Sequence, residues 1–266
     1  MNRSYYYERV AQKAQLSSPE QQELEPLMVS IFEQHKHNYG SRRMMKELHK
    51  KGIIIGRHRV RTLMKRLGLT VQAAQRFKVT TDSKHTYPIA PNRLDRQFSV
   101  ASPNQVWTTD ISYVWTNERW MYLAIVVDLF SRQIVGWSIK DHMKTSLCLE
   151  ALQMAWWKRK RPEGVLHHSD RGSQYASDRY REQLEAYGMT QSMSRKGNCW
   201  DNSPTERVFR TLKSEWLNRF HFKTKEEATN AVWDYITYYN SSRSHSFLDY
   251  QSPMEFEKQQ EIKFAS

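Results

Sequence analysis

Three segments rich in β-branched and aromatic residues follow one another along the chain, at residues 106–115, 120–128 and 134–139. The polar turns between them, at residues 116–118 and 131–133, leave no room for a crossover helix. Parallel neighbours need such a crossover, whereas antiparallel strands need only a short turn. The sequence therefore predicts a three-stranded antiparallel meander as the start of a sheet.

After the meander, helical and strand patterns alternate. The spacing of apolar residues predicts helices at 145–160, 177–187, 204–219 and 225–239, and short strands at 165–168 and 189–193. A meander followed by alternating helices and strands is typical of an α/β fold, with a mixed sheet and helices on its faces. Residues 105–266 are therefore predicted to form one α/β domain.

The first 100 residues differ from the rest in charge. They contain 19 Lys and Arg residues against 8 Asp and Glu residues, an excess of 11 within a net charge of +13. Helical patterns begin near residues 18, 41 and 57, and a turn at residues 53–56, whose isoleucines are expected to be buried, joins the last two. Two helices joined by a short turn give the outline of a helix-turn-helix. We therefore predict a small all-α region in front of the α/β domain.

The basic surface of this region predicts contacts with a polyanion, and DNA phosphates are the expected partner. The candidate contact residues are Arg42, Arg43, Arg57, Arg59, Arg61 and Lys65. A solvated basic face without a partner is the alternative.

The segment at residues 79–104 shows neither helical nor strand periodicity and contains three prolines. Prolines spread through an aperiodic segment are typical of a linker. We therefore predict a basic helical DNA-binding region at residues 1–78, a linker at residues 79–104 and the α/β domain at residues 105–266.

Composition excludes several classes of protein. No run approaches the ~20 apolar residues that a membrane span needs, and the opening residues MNRSYYYERV do not have the pattern of a secretion signal. Two cysteines, Cys148 and Cys199, are too few for a disulfide-stapled scaffold or a four-cysteine zinc site. We expect a cytoplasmic protein without a membrane partner.

Three acidic residues lie where α/β folds build their sites. Asp110 lies in the first strand, Asp170 directly follows the fourth, and Glu206 lies in the first turn of the long helix. Carboxylates brought together repel one another and take up protons unless a cation neutralises them. Mg²⁺ prefers oxygen ligands, and two such ions can activate and stabilise the reacting oxygens of phosphoryl transfer. The second domain contains 20 acids, so spacing alone does not single out this triple.

Several nearby residues leave alternatives open. Asp128, at the end of the second strand, is an alternative member of the acidic site, although a role in the turn is favoured. His167 and His168 are neighbours in a strand and point to opposite faces, so at most one can join Asp170, and structural roles are favoured.

Other residues near the predicted site have structural interpretations. Asp201 and Asn202 are interpreted as caps of the long helix, and Cys148 as a core residue. Four tryptophans are interpreted as packing in the core or at a dimer face rather than stacking on bases: Trp107, Trp115, Trp120 and Trp137.

Six stretches carry a family resemblance: YGSRRMMKELHKKGIIIGRHRVRTLMKRLGL, NQVWTTDISYV, YLAIVVDLFSRQIVGW, HHSDRGSQYAS, SMSRKGNCWDNSPTERVFRTLKSE and YNSSRSHSFLDYQSPMEFE. On these stretches the chain resembles the second-frame (OrfB) transposases of the insertion-sequence-three family, which have an integrase-type catalytic core. The 35 residues between Asp170 and Glu206 match the separation that names the family's aspartate–aspartate–glutamate signature.

The resemblance implies a ribonuclease-H-like fold for the α/β domain, with further helices at its carboxyl end. It implies metal-dependent DNA cleavage and strand transfer, with two Mg²⁺ or Mn²⁺ ions held by Asp110, Asp170 and Glu206. It also implies that Lys213, seven residues after Glu206, touches the DNA of the transposon end. Arg210 shares this helix face and is a further candidate DNA contact.

The implied partners are DNA, as terminal inverted repeats and as target, and further copies of this chain assembled on that DNA. The upstream-frame protein is a further implied partner, either separate or joined by frameshifting. The implied location is the bacterial cytoplasm, at the nucleoid. Two other functions remain open: a ribonuclease-H-type metal-dependent nuclease that cuts without joining, and a DNA-binding regulator whose acidic core is inert.

Overall fold

The computed structural model describes residues 19–71 and 86–265. These residues fall into two compact units, residues 19–71 in the first and residues 86–265 in the second. Ser18, the predicted start of the first helix, and residues 79–85 of the predicted linker lie outside the described residues.

The described residues of the first unit form three helices, as predicted. They are α1 (Pro19–Gln34), α2 (Ser41–Lys50) and α3 (Arg57–Arg66). Their apolar stripes meet in one small core, which includes the fully buried Met28, Met44, Leu48 and Val60. Because the apolar residues recur at helical spacing, each helix buries one stripe and leaves its charged residues outside.

The turn between α2 and α3 differs from the prediction that all its isoleucines are buried. Ile55 is buried, but Ile54 is 85% exposed. The ring nitrogen Nε2 of His49 lies 2.9 Å from the Ile55 carbonyl oxygen and fixes that residue against the unit. In extended chain, neighbouring side chains point in opposite directions, so an inward Ile55 turns Ile54 towards solvent.

The second unit is built on a five-stranded mixed sheet. Its strands are β1 (Val106–Trp115), β2 (Trp120–Asp128), β3 (Ile134–Lys140), β4 (Leu166–Ser169) and β5 (Thr190–Met193), in the order β3-β2-β1-β4-β5. The first three form the predicted antiparallel meander, β4 pairs parallel to β1, and β5 pairs parallel to β4. The sheet is therefore antiparallel on one side of β1 and parallel on the other.

Helices cover both faces of the sheet. They are α4 (Thr145–Lys158), α5 (Ser173–Ala176), α6 (Asp178–Ala186), α7 (Ser203–Glu215), α8 (Lys225–Ser241) and α9 (Pro253–Ala265). In β2, Ala124 and Val126 join the core formed with α4 and α6, whereas Leu123 and Ile125 join the core formed with α7 and α8. Burial on both faces explains why this strand is apolar without alternation. Within the described ranges, no helix combines the length and apolarity needed to cross a membrane.

Two helices of the second unit are absent from the sequence-based prediction, α5 and α9. Helix α9 begins with a capping box, in which the backbone N–H of Glu255 donates to Ser252 Oγ over 3.3 Å. The backbone N–H of Ser252 donates in return to Glu255 Oε2 over 2.8 Å. The Ser-Pro-Met-Glu sequence carries this signal, so α9 was predictable. Helix α7 is shorter than predicted and is followed by a 3₁₀ turn at Leu217–Arg219.

Residues 86–104, which precede β1, pack against the rest of the second unit. Leu94 is buried beside Val106 and Leu129, and its backbone N–H donates to Ser192 Oγ over 3.3 Å. The boundary at residues 104 and 105 between linker and α/β domain stays a prediction.

The four tryptophans assigned to the core or a dimer face behave differently from one another. Trp107 is fully buried, and Trp137 packs partly buried against the core. Trp115 and Trp120 are exposed, so the core prediction is wrong for them. They pair across the β1–β2 hairpin, with ring centroids 4.7 Å apart.

Close packing of β3 against α4 gives the first testable prediction. A methyl group at Gly136 would lie 2.7 Å from the backbone nitrogen and 2.8 Å from the Cβ of Ala155, and would overlap the Ala151 carbonyl oxygen. Gly136→Ala is therefore expected to lower the free energy of unfolding by about 3 kcal/mol, because backbone atoms cannot rotate away. Urea unfolding measures the change.

Gly40→Ala is the control, because a Cβ there meets nothing within 4 Å. An unfolding midpoint for Gly136→Ala equal to that of the control would contradict the packing described.

Candidate active site

The fold brings together the strands and helix that carry the three predicted acids. Asp110 lies in the middle of β1, and Asp170 directly follows β4, the parallel neighbour of β1. Glu206 lies in the first turn of α7, which packs on β1. The three side chains therefore come from three adjoining elements.

The charges of the three acids act on one another. The pKa of Asp110 is raised well above its ordinary value, first by desolvation and then by the charges of Asp170 and Glu206. Desolvation also raises the pKa of Glu206, and Asp170 adds to that rise while Arg210 opposes it. The site thus concentrates negative charge in a partly dehydrated place.

Backbone N–H groups hold two of the carboxylates. Asp110 Oδ1 accepts from the N–H of Ile111 over 2.8 Å, and Asp170 Oδ1 accepts from the N–H of Gly172 over 2.9 Å. A Cβ at Gly172 would lie 3.1 Å from that same oxygen, so glycine permits this close approach. Local backbone geometry therefore orients Asp110 and Asp170.

Two further hydrogen bonds fasten the start of α7 to β1 beside Asp110. The Asn202 side-chain amide donates to the Thr109 carbonyl over 3.0 Å, and Thr205 Oγ1 donates to Thr108 Oγ1 over 2.6 Å. The positioning role of these residues was not predicted from the sequence, although the polar pair Thr108 and Thr109 inside an apolar strand was a signal. Asn202 precedes α7 but makes no capping bond with its side chain, so the cap prediction is wrong for it.

Asp201 also has a different role from the predicted helix cap. Its fully buried carboxylate accepts from the backbone N–H, Nε and Nη2 of Arg195, from Nε of Arg96 and from the side chain of Asn92. These bonds, those of Arg195 first, hold the pKa of Asp201 far below its ordinary value. Asp201 therefore anchors the loop before α7.

The alternatives to the acidic triad have structural partners. Asp128 accepts from the backbone N–H of Phe130 over 2.9 Å, which confirms its turn role, and pairs with Arg159. His168 lies within hydrogen-bond distance of Ser192 Oγ and Ser194 Oγ. His167 Nε2 lies 3.2 Å from the Tyr180 hydroxyl. The structural interpretation of both histidines is confirmed, as is that of Cys148, which is buried in the core.

Lys213 lies beside the acids and is only 9% exposed. Its Nζ is 3.9 Å from the ring centroid of Tyr113. Burial lowers the pKa of Lys213 to about 8, and the charge of Asp110 opposes the change. Arg210, one turn earlier than Lys213 on α7, is exposed.

The donor set of the site suits a hard divalent cation, because all three side chains offer carboxylate oxygens. In the part of the chain that the structure describes, however, no three His, Cys, Asp or Glu side chains are arranged to hold a metal ion.

The first unit presents the predicted basic surface. Five of the six candidate DNA contacts are exposed, namely Arg42, Arg57, Arg59, Arg61 and Lys65. The sixth, Arg43, is partly buried, and its guanidinium lies 5.5 Å from the ring centroid of Tyr39. Most of this charge is therefore open to an anionic partner.

Comparison with solved structures supports the fold. The chain is similar to a chain of the simian T-cell lymphotropic virus intasome in complex with the PP2A regulatory subunit B56γ, with a TM-score of 0.53 and 18% identity. The match covers 66% of this chain and 60% of the other. The mixed five-stranded sheet with helices on both faces is thus the predicted ribonuclease-H-like fold.

Family models match both units. The HTH-like domain matches residues 19–77, one integrase core domain matches residues 100–199, and a second integrase core domain matches residues 206–260. The matches to the integrase core include Asp110, Asp170 and Glu206.

Full-length relatives identify the family. The chain is 41% identical to the insertion element IS600 uncharacterized 31 kDa protein of Shigella sonnei, over 96% of this chain and 94% of that protein. It is 40% identical to the transposase for IS904 of Lactococcus lactis, over 90% and 97%. It is 38% identical to transposase InsF for IS3A of Escherichia coli, over 96% and 90%. The chain therefore belongs to the insertion-sequence-three family of transposases.

Proposed function

We propose that Asp110, Asp170 and Glu206 are the catalytic residues of this transposase and that they hold Mg²⁺ or Mn²⁺. The protein is a transposase of the aspartate–aspartate–glutamate type and acts in DNA transposition. The observation that carries the proposal is geometric: β1, the end of β4 and the start of α7 adjoin and bring Asp110, Asp170 and Glu206 close enough for their charges to act on one another.

The proposed reaction has two phosphoryl transfers. In the first, water attacks the phosphodiester at the element's end, a phosphorus–oxygen bond forms, and the bond to the 3′-oxygen breaks. In the second, the freed 3′-hydroxyl attacks a phosphodiester of the target, which joins the two DNAs and releases a target 3′-hydroxyl. Neither step needs a covalent bond between DNA and protein.

The residues around the acids support this chemistry. A bound divalent cation supplies Lewis-acid stabilisation of the reacting oxygens. The N–H groups of Ile111 and Gly172 orient the carboxylates of Asp110 and Asp170. The two hydrogen bonds between the start of α7 and β1 hold Glu206 beside them. The count of two ions per site stays a prediction.

Basic residues provide the proposed DNA contacts. We assign Lys213 and Arg210 to the DNA near the reacting phosphodiester, since they share a helix with Glu206 and Lys213 lies beside Asp110. The basic face of the first unit, with Arg57, Arg59 and Arg61, is assigned to the phosphates of the element's inverted repeats.

The setting of the reaction is also part of the proposal. We place it at the nucleoid in the bacterial cytoplasm, where the DNA substrate lies, and expect several copies of the chain to assemble on the DNA. A separate or fused upstream-frame protein stays a prediction. A simple nuclease and an inert regulator are not favoured, because two full-length relatives, the protein encoded by IS904 and InsF, are named transposases.

Removing one metal-binding charge tests the triad. Asp110→Asn, Asp170→Asn and Glu206→Gln keep the side-chain shape but each remove a ligand charge. Cleavage of the element's ends and strand joining are expected to fall by about a thousandfold or more, since the metal site contributes several kcal/mol to the transition state. Gel assays of cleavage and joining, with a gel shift for DNA binding, measure both activities.

Glu182→Gln is the matched control, because Glu182 is an exposed acid on α6. Near-normal cleavage by Glu206→Gln would remove this residue from the triad. Loss of DNA binding together with cleavage would mean that the substitutions act on folding or binding rather than on chemistry.

Salt dependence tests the basic face of the first unit. Replacing Arg57, Arg59 and Arg61 by glutamine removes three exposed charges from α3. If these residues contact phosphates, the slope of log affinity against log salt for element ends is expected to flatten by about 3, because each contact releases about one counterion. Fluorescence anisotropy at several salt concentrations measures the slope.

The control variant removes the same charge elsewhere, by glutamine substitution of the exposed Lys160, Lys223 and Lys258 in the second unit. An equal flattening in both variants would show a general effect of net charge and would contradict a specific role for α3.

A further inference from the structure

We propose that the indole of Trp200 is a stacking site for an unpaired base at the DNA end being processed. This inference rests on the proposed function, because it concerns the same active site, and it adds a binding element that neither the acids nor the basic residues supply. The ligand class is a nucleobase that has left its base pair beside the reacting phosphodiester.

The Trp200 ring is exposed although its backbone is firmly held. The side chain is 69% exposed, the largest value among the exposed tryptophans of the described residues. Its backbone N–H donates to Asn198 Oδ1 over 3.2 Å. The two following residues are buried, with Asp201 bound by Arg195 and Asn202 bound to the Thr109 carbonyl. A large apolar ring is thus presented to solvent by a fixed turn.

Other exposed tryptophans already have ring partners. Trp115 contacts Trp120, Trp157 contacts Trp156, and Trp233 contacts Trp137. Among the residues that the structure describes, no aromatic ring lies against Trp200. Its face is therefore open to a planar ligand, and stacking on an aromatic face is how proteins bind bases without reading their sequence.

The position of Trp200 points to the reacting end of the DNA. It lies in the 3₁₀ turn Cys199–Asn202, which runs directly into α7, and it precedes Glu206 by six residues. The rise of a 3₁₀ turn followed by an α-turn separates the two residues by about 10 Å along the axis. That length corresponds to about three base steps of duplex DNA.

The charge of the same loop favours a nucleic acid. Arg195 and Lys196, which precede the turn, are both exposed. Arg195 pairs with the buried Asp201 and with the exposed Asp95, and Arg96 pairs with Asp201 as well. The three basic residues Arg96, Arg195 and Lys196 thus exceed these two acids by one charge. A positive rim next to an exposed aromatic ring is the combination found in single-strand binding grooves. Unpairing of the terminal bases would give the active site access to the backbone, and a stacking ring would stabilise that open state.

The experiment uses the full chain and two duplexes that carry the inverted repeat of its own element. One duplex is fully paired, and the other has its last three base pairs mismatched; each carries 2-aminopurine next to the cleavage site. Trp200→Leu keeps an apolar side chain but removes the aromatic face, Trp200→Phe restores such a face, and Trp233→Ala is the matched exposed control.

We expect Trp200→Leu to cleave the paired end on the order of tenfold to a hundredfold more slowly than the unmodified chain, the range of one base–aromatic stack. The mismatched end should recover most of that loss, because its bases are already unpaired. Trp200→Phe should recover most activity on the paired end, and Trp233→Ala should be unchanged. Quenching of 2-aminopurine fluorescence should be lost in Trp200→Leu alone.

Several outcomes would overturn the assignment. Equal losses on paired and mismatched ends, or no gain from phenylalanine, would indicate a merely structural ring. Normal end cleavage with slow joining would place the stacking on target DNA instead. Glu206→Gln separates the two proposals, since it should abolish cleavage of both duplexes yet keep the fluorescence quenching; cleavage by this variant would refute the triad, whereas lost quenching would refute the stacking site.

Discussion

The attachment of α7 to β1 is the interaction on which the candidate site depends. Glu206 comes from a helix, whereas Asp110 and Asp170 come from the sheet, so their meeting requires a fixed crossing of the two elements. The bond from Thr205 to Thr108 is buried, and so is the bond from Asn202 to the backbone of β1. In a dry environment each of these bonds is costly to leave unmade, which gives the crossing a defined register.

This arrangement accepts an electrostatic cost at its centre. Asp110 sits where desolvation and two like charges disfavour its ionised form. Folding offsets the cost with close apolar packing on both sides of the sheet, where β2 is buried on each face. The basic Lys213 adds a charge of opposite sign beside Asp110. Binding of a cation would neutralise the remaining negative charge of the three acids. The site therefore lowers the stability of the unliganded protein and favours the binding of its ligands.

Much of the fold and the elements of the site follow from sequence pattern. The meander was predictable because β-branched and aromatic residues mark the strands and short turns fix antiparallel neighbours, and the three acids were placed on β1, after β4 and on α7 by local pattern. The partners of Asp201 were not predictable, because Asn92, Arg96 and Arg195 meet it only through tertiary folding. Helix α9 was not predicted, although the capping box of Ser252 and Glu255 is recognisable in the sequence. The exposure of Trp200 could not be predicted from the sequence, because sequence pattern does not distinguish an exposed tryptophan from a buried one. Trp107 and Trp115, for example, lie in the same strand, but only Trp107 is buried.

The segment in front of β1 has a consequence for how the catalytic unit can be isolated. Arg96 and Asn92 reach Asp201, Arg93 and Leu94 share Ser192 Oγ, and Leu94 covers Leu129. A fragment that begins at β1 would lack two of the five hydrogen bonds that Asp201 accepts, those from Asn92 and Arg96, although Asp110, Asp170 and Glu206 would remain. The smallest autonomous catalytic fragment therefore has to begin upstream of residue 92, because Asn92 is the first residue of this segment that bonds to Asp201.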